Sequence, residues 1–128
     1  MKIVTDKVVD ASAIGAMVFL EPRALEIERR LDGCELFAPL LLPFEIMSIC
    51  LKKIRLHPPR RDLILGAFAN FRRTAINLQD VNEESVLELG EQHRLSAYDA
   101  SYLWLSRQLG VELVTLDMRL AKAAAKTH

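Results

Sequence analysis

One stretch, Leu95 to Leu120, constrains the fold of this chain more than any other. Its first half predicts a helix, because Ser96 is a preferred N-cap residue and apolar residues follow at helical spacing as far as Gly110, a typical helix stop. Its second half predicts a buried strand, Val111 to Leu116, that ends at Asp117. A helix that leads into a buried strand is half of a parallel α/β unit, and ligands of open α/β sheets bind at the carboxyl ends of the strands. Asp117 lies at such an end.

The remaining sequence predicts three more strands and six more helices, with no strand after the last helix. The strands are expected at Ile3–Val9, Glu35–Ala38 and Thr74–Leu78, and the helices at Ala11–Leu20, from Glu21 to a stop at Asp32, at Pro39–Arg55, Arg60–Arg73, Glu83–His93 and Met118–Lys126. The third and fourth of these helices flank His57-Pro58-Pro59, which favours an antiparallel helical hairpin. We expect a single domain, residues 1–128, with one core.

Composition excludes several classes of protein. The 17 basic and 17 acidic side chains cancel, so a nucleic acid would have to be bound by a local patch. Cys34 and Cys50 lack the spacing of a redox or metal motif and predict two small buried thiols in a reducing cytosol. No run reaches the roughly 18 apolar residues of a membrane span, and Asp10 interrupts the one segment that resembles a signal peptide. We therefore expect a cytoplasmic protein without a membrane anchor.

Four acids stand where the predicted fold would bring them together. Asp10 follows the first strand, Asp117 follows the last, and Asp99 and Glu45 fall in the first turns of two helices. Each could simply stabilise a helix N-terminus, which is worth about 0.3–1 kcal/mol, and Ser96 with Asp99 has the spacing of a capping box. Asp10 and Glu45 have apolar neighbours in the sequence, however, and an apolar environment disfavours an ionised carboxylate that has no partner. Both a structural role and a shared site are therefore open.

A shared site of carboxylates would need a cation. Oxygen ligands select hard ions such as Mg²⁺ or Mn²⁺, and such ions serve phosphodiester hydrolysis. Ser12 and Thr115 lie two residues from Asp10 and Asp117 and could orient a carboxylate or a water, although each could equally be an ordinary structural residue. The three histidines, at positions 57, 93 and 128, are not placed for a zinc site.

Four short motifs, taken in order, resemble one family of proteins. They are VVDASA at 8–13, Ala38-Pro39 followed by Glu45, Tyr98-Asp99-Ala100, and Thr115-Leu116-Asp117. In this order and spacing the chain resembles a PIN domain, and within that family the VapC toxin ribonucleases of type II toxin–antitoxin systems. The resemblance covers nearly the whole chain.

The resemblance implies an α/β fold, a three-layer α/β/α sandwich with a central parallel sheet of four to five strands. It also implies a Mg²⁺- or Mn²⁺-dependent endoribonuclease with Asp10, Glu45, Asp99 and Asp117 as metal ligands, a homodimer, and a cognate antitoxin protein that blocks the site. The chain departs from the family pattern at Ser48, where an asparagine is common three residues after the helix glutamate. It also lacks a signal for the further strand with which the family usually ends.

A local excess of positive charge could hold the RNA. Seven basic residues against one acid, Asp62, stand between positions 52 and 73, and the predicted RNA-binding residues among them are Lys52, Lys53, Arg55, Arg60 and Arg61. A solvated helix face or a surface for an acidic partner is the alternative interpretation.

Two other functions would also place acids at these positions: phosphotransfer, which fits less well, and non-catalytic binding of a protein partner. Phosphotransfer proteins also carry acids after parallel strands, but a phosphatase of that kind needs an aspartate where Ser12 stands, and a receiver needs one in the segment from Glu35 to Pro39, which has none. A non-catalytic PIN-like scaffold that binds a protein partner, with the acids acting as helix caps, remains the second hypothesis.

Overall fold

A parallel sheet with helices on both faces organises the protein, which we describe from a computed structural model covering residues 5–126. Its strands are β1 (Thr5–Val9), β2 (Cys34–Pro39), β3 (Asn77–Gln79) and β4 (Glu112–Val114). Its helices are α1 (Ala11–Val18), α2 (Ala24–Leu31), α3 (Leu42–Leu56), α4 (Arg61–Arg73), α5 (Glu83–His93), α6 (Ala97–Leu109) and α7 (Met118–Ala125), with a 3-10 turn at Pro58–Arg60 before α4.

The strand order β3-β2-β1-β4 brings the first and last strands together. All pairs are parallel, with Val8 opposite Phe37 on one side and Val9 opposite Val114 on the other. The N–H of Asp10 continues the ladder by donating to the carbonyl oxygen of Val114 at 3.3 Å. The carboxyl ends of β1 and β4 therefore lie side by side, which is the arrangement that would bring Asp10 and Asp117 together.

The helices form two layers. In one, α1 contacts α2, α3 and α4; in the other, α6 contacts α5 and α7 and packs on β1, β2 and β4. The core between the layers includes Val8, Ile14, Leu103 and Val114, none of which exposes any surface. The predicted three-layer α/β/α sandwich is confirmed, with four strands in residues 5–126.

Local sequence signals place the helix ends near the sheet edge. The side chains of Asp10, Asn82, Ser96 and Asp117 each accept a hydrogen bond from a backbone N–H in the first turn of the helix that follows. Gly110 ends α6 with φ of +69°, a conformation that only glycine adopts without strain. The caps and the glycine therefore fix where the chain turns between strand and helix.

Several predicted boundaries are wrong because strand pairing overrides local preference. Pro39 belongs to β2, opposite Gln79, and the Leu40 N–H donates to the Gln79 carbonyl, so α3 begins at Leu42 and not at Pro39. The same pairing places β3 at Asn77–Gln79 in place of Thr74–Leu78. β4 begins one residue later than predicted because the Val111 N–H donates to the Ser106 carbonyl of α6. It ends two residues earlier, at Val114, and the Leu116 N–H donates to the Ser12 hydroxyl.

Other differences are confined to helix ends and cysteine burial. α1 ends two residues early because Leu20 has φ of +52°, and α2 begins at Ala24, after a turn that follows Glu21. α4 begins one residue later and α7 ends one residue earlier than predicted, at Arg61 and Ala125. Positions 3 and 4 of the first predicted strand lie outside the described residues. Cys50 is buried as expected, whereas Cys34 is partly exposed.

Across residues 5–126 the helices are too short or too polar for one to traverse a bilayer.

Candidate active site

Asp10 occupies the carboxyl end of the central strand and is almost fully buried, with 3% of its surface exposed. Its Oδ1 accepts hydrogen bonds from the Ala13 N–H at 3.0 Å and the Ser12 hydroxyl at 2.7 Å. Its Oδ2 accepts one from the Thr115 hydroxyl at 2.5 Å. Burial raises the pKa of Asp10, and the negative charge of Asp117 adds to this, while the three hydrogen bonds oppose it. The carboxylate is thus fixed in position but poorly solvated.

The two hydroxyls predicted to support the acids both contact Asp10 and join two loops. Ser12 Oγ accepts the N–H of Leu116 at 2.9 Å and lies 3.3 Å from Thr115 Oγ1, and Thr115 Oγ1 accepts the N–H of Asp117 at 3.0 Å. The chain after β1 is thereby tied to the chain after β4. This network holds Asp10 and Asp117 at one edge of the sheet.

Asp117 serves as the N-cap of α7, whereas Asp99 caps nothing. Asp117 Oδ1 accepts the Leu120 N–H at 2.9 Å. Ser96 accepts the Asp99 N–H at 3.1 Å, but within residues 5–126 the Asp99 carboxylate makes no hydrogen bond in return, so the predicted capping box is only half formed. Burial raises the pKa of Asp99, followed by the charges of Asp117 and Asp10, while Arg119 opposes the shift. A structural cap therefore does not account for Asp99.

Glu45 is not a capping residue either. It stands in the first turn of α3, a helix whose N-cap, Leu41, makes no side-chain hydrogen bond. Its Oε1 accepts a 2.6 Å hydrogen bond from the hydroxyl of Tyr102 on α6. Burial raises the pKa of Glu45 and the charges of Asp99 and Asp10 add to it, against the effect of the Tyr102 bond. The Glu45 carboxylate is therefore held by a residue of another helix and lies close enough to Asp99 and Asp10 to be affected by their charges.

Tyr102 is the residue of this site that the sequence interpretation missed. Its side chain is 1% exposed, and burial together with the neighbouring Glu45 raises its pKa, so the phenol stays protonated and donates. It lies three residues after Asp99 on α6, and residues at that spacing share a helix face. This spacing could have indicated that Tyr102 belongs to the same site as Asp99.

The charges of the four acids act on one another, but the side chains do not form a closed ion site. Within residues 5–126, no three Asp, Glu, His or Cys side chains are arranged to hold one ion. The donor set itself fits a hard divalent cation, since all four predicted ligands are carboxylates. Burial raises the pKa values of Asp10, Glu45 and Asp99, neighbouring acids add to each shift, and a positive charge would offset both effects. Holding an ion would require some of these side chains to take other positions.

Ser48 lies one turn after Glu45 on α3, whereas the predicted RNA-binding residues lie further along the chain. Ser48 is exposed and, in the described part of the chain, forms no side-chain hydrogen bond. α3 begins beside the acids and runs away from them, so Lys52 to Arg55 lie about 10–15 Å beyond Glu45 along its axis. Arg60 and Arg61 follow at the start of α4. The five predicted RNA-binding residues therefore cluster at the far end of the α3–α4 hairpin.

Comparison with known proteins identifies the family. The sequence model of the PIN domain matches residues 7–126, so the chain belongs to the PIN domain family. It is similar to Ribonuclease VapC3 of Pyrobaculum aerophilum, with 29% identity over 120 residues that cover 90% of this chain and 92% of that protein. The crystal structure of PAE2754, also from Pyrobaculum aerophilum, superposes with a TM-score of 0.77 and 21% identity over 98% of this chain and 91% of that one. The latter likeness supports the fold.

Proposed function

We propose that this protein is a Mg²⁺- or Mn²⁺-dependent endoribonuclease and the toxin of a toxin–antitoxin pair. The observation that carries the proposal is the placement of Glu45 and Asp99, two partly buried acids that cap no helix. Burial raises the pKa of each, and nearby acids add to the shift: Asp99 and Asp10 for Glu45, and Asp117 and Asp10 for Asp99. Similarity to a protein named as a VapC ribonuclease supports RNA as the substrate. On the same ground we expect a cognate antitoxin, a homodimer and a cytoplasmic location.

In this proposal Asp10, Glu45, Asp99 and Asp117 hold the ion. When bound, a divalent cation supplies the positive charge that phosphodiester hydrolysis needs at the phosphate and at the attacking water. The hydroxyls of Ser12 and Thr115 hold Asp10, while Tyr102 holds Glu45. These contacts fix two carboxylates on different elements before any ion arrives, which is the usual contribution of residues behind a metal site.

A non-catalytic scaffold is the second candidate. Asp10 and Asp117 do cap α1 and α7, and within residues 5–126 no three acids form a closed site. In that case the acids stabilise helices and the protein acts by binding a partner. The two candidates differ in whether a divalent ion binds.

Thermal unfolding after chelator treatment separates them. We expect millimolar Mg²⁺ or Mn²⁺ to raise the unfolding temperature of the wild type, with about 2.7 kcal/mol of stabilisation when the ion exceeds its Kd a hundredfold. Asp99→Asn should lose most of this rise and all RNA cleavage. Asp32→Asn, an exposed acid before β2 at the opposite edge of the sheet, is the matched control and should keep both. If the ion leaves the unfolding curves of all three proteins unchanged, and the wild type cleaves no RNA, the scaffold is favoured.

A further inference from the structure

A groove of about 560 Å³ between the end of α5 and α7 is lined mainly by basic side chains. Five of its lining residues are His93, Arg94, Arg119, Lys122 and Lys126, and none of the described residues that line it is acidic. Such a surface favours anions, because neighbouring positive charges in a concave surface add their potentials.

The positive charges in this groove are not neutralised by neighbours. Among residues 5–126, Arg94, Arg119, Lys122 and Lys126 form no ion pair. All four are exposed, so they remain available to a ligand.

The basic cluster at the tip of the α3–α4 hairpin is different in this respect. There Lys53 lies 3.4 Å from Glu21, and Arg61 lies 3.5 Å from Asp62. The hairpin tip thus has more basic residues than the groove, but nearby acids partly neutralise their charge.

The basic row on α7 begins at the candidate active site. Arg119 and Lys122 are three residues apart, which places them on one face of α7, and Lys126 follows at the C-cap, so the row spans about 10 Å. Asp117 is the N-cap of this helix, and the charge of Arg119 acts on Asp99, whose pKa it lowers against the effects of burial and of the other acids. The row therefore leads directly away from the acids.

Helix stability does not explain the whole row. Lys122 and Lys126 lie towards the C-terminal end of α7, where cations are favoured by the helix dipole. Arg119 stands in the first turn, where the same dipole disfavours a cation. Its position suits a ligand that passes the acids and continues along the groove.

We propose that the α5–α7 groove binds the phosphate backbone of single-stranded RNA and leads the strand to the acids, an inference that rests on the proposed ribonuclease function. No Phe, Tyr or Trp side chain lines the groove within the described residues, so the contacts are mainly to phosphates and depend little on base sequence. The hairpin tip, at the far end of α3, is not the main RNA contact.

Fluorescence anisotropy of a labelled single-stranded RNA of mixed sequence tests this inference. Binding is measured in chelator, which prevents cleavage, between about 50 and 200 mM salt. Each lost phosphate contact lowers the slope of log affinity against log salt by about 0.7. We expect a reduction of about 0.7 for Arg119→Gln and about 2 for Arg94→Gln/Arg119→Gln/Lys122→Gln.

The control carries the same change of net charge on the hairpin tip, Lys52→Gln/Arg55→Gln/Arg60→Gln, and should keep the wild-type slope. A reduced slope in the control with an unchanged slope in the groove variants would overturn the inference, as would absence of RNA binding by the wild type. An unchanged groove variant would assign the groove to another anion, such as an acidic protein segment. The metal-linked stability and RNA cleavage of the wild type, measured separately, report on the proposed function itself.

Discussion

The hydroxyl of Tyr102 donates a 2.6 Å hydrogen bond to Oε1 of Glu45, although the two residues are 57 positions apart in the sequence. The bond joins α6, which also carries Asp99, to the first turn of α3. Glu45 is a flexible side chain on an outer helix, and this contact restricts its orientation to the sheet edge where Asp10 lies. The position of one proposed metal ligand therefore depends on the packing of two helices.

Tyr102→Phe should weaken ion binding more than it weakens the fold. Loss of one hydrogen bond is worth about 0.5–1.5 kcal/mol of stability, since the aromatic ring still fills its buried site. We expect the Mg²⁺ or Mn²⁺ concentration that gives half of the thermal stabilisation to rise several-fold, because Glu45 is no longer held. Tyr98→Phe, on an exposed tyrosine of the same helix, should leave this concentration unchanged. If this ion concentration is the same for both variants, Tyr102 does not contribute to ion binding.

Thr115→Val should destabilise the protein whether or not an ion binds. The substitution keeps the shape of a buried side chain but removes the donor to Asp10 and the acceptor for the Asp117 N–H. Leaving such buried groups without partners costs about 1–3 kcal/mol. Urea unfolding in chelator measures the loss, and Thr115→Ser, which retains the hydroxyl, should recover most of it. A Val variant as stable as the wild type would show that the network contributes little.

Two glycines should respond to alanine in opposite directions. Gly110 has φ of +69° and no atom within 4 Å of an added Cβ, so only backbone strain opposes Gly110→Ala, by about 1–2 kcal/mol. Gly66 lies inside α4 with equally open space and no unusual φ, so Gly66→Ala should stabilise the protein by about 0.5–1 kcal/mol. Urea unfolding of both variants checks the contrast. Stabilisation by both substitutions would mean that α6 ends in another conformation.

The parts of the site that follow from local chemistry could be predicted from the sequence. An aspartate after an apolar strand and before a helix is both a cap and a sheet-edge residue, which is why Asp10 and Asp117 were placed correctly beside each other. The helix stop at Gly110 depends only on backbone freedom.

The parts that depend on packing could not be predicted in the same way. Tyr102 contacts Glu45 only because α3 and α6 meet across the sheet edge. Pro39 was assigned to a helix because its pairing with Gln79 is not visible in local sequence. Counting basic residues between positions 52 and 73 indicated a patch on the α3–α4 hairpin. Local sequence could not show that Lys52 lies about 10 Å beyond Glu45 along α3.

Asp99→Asn should stabilise the metal-free protein at neutral pH. Burial and neighbouring acids raise the folded-state pKa of Asp99 above its ordinary 3.8, so the fold favours the protonated form. The stability that this group contributes is present below the unfolded pKa and is lost as pH rises through the folded pKa. Asparagine is uncharged throughout and avoids that loss. Because Asp99 is partly exposed and screened by solvent, we expect a gain of about 0.3–0.5 kcal/mol.

The gain should shrink as pH falls through the raised pKa of Asp99, because the wild-type carboxyl is then also protonated. Urea unfolding in chelator at neutral and acidic pH measures it for wild type, Asp99→Asn and the control Asp32→Asn. His93, whose pKa is lowered by burial, titrates in each of these proteins and cancels in the difference. A metal-free Asp99→Asn variant that is less stable than the wild type at neutral pH would mean that this carboxylate stabilises the fold. Repulsion among the acids, which is the physical reason to expect an ion, would then be absent.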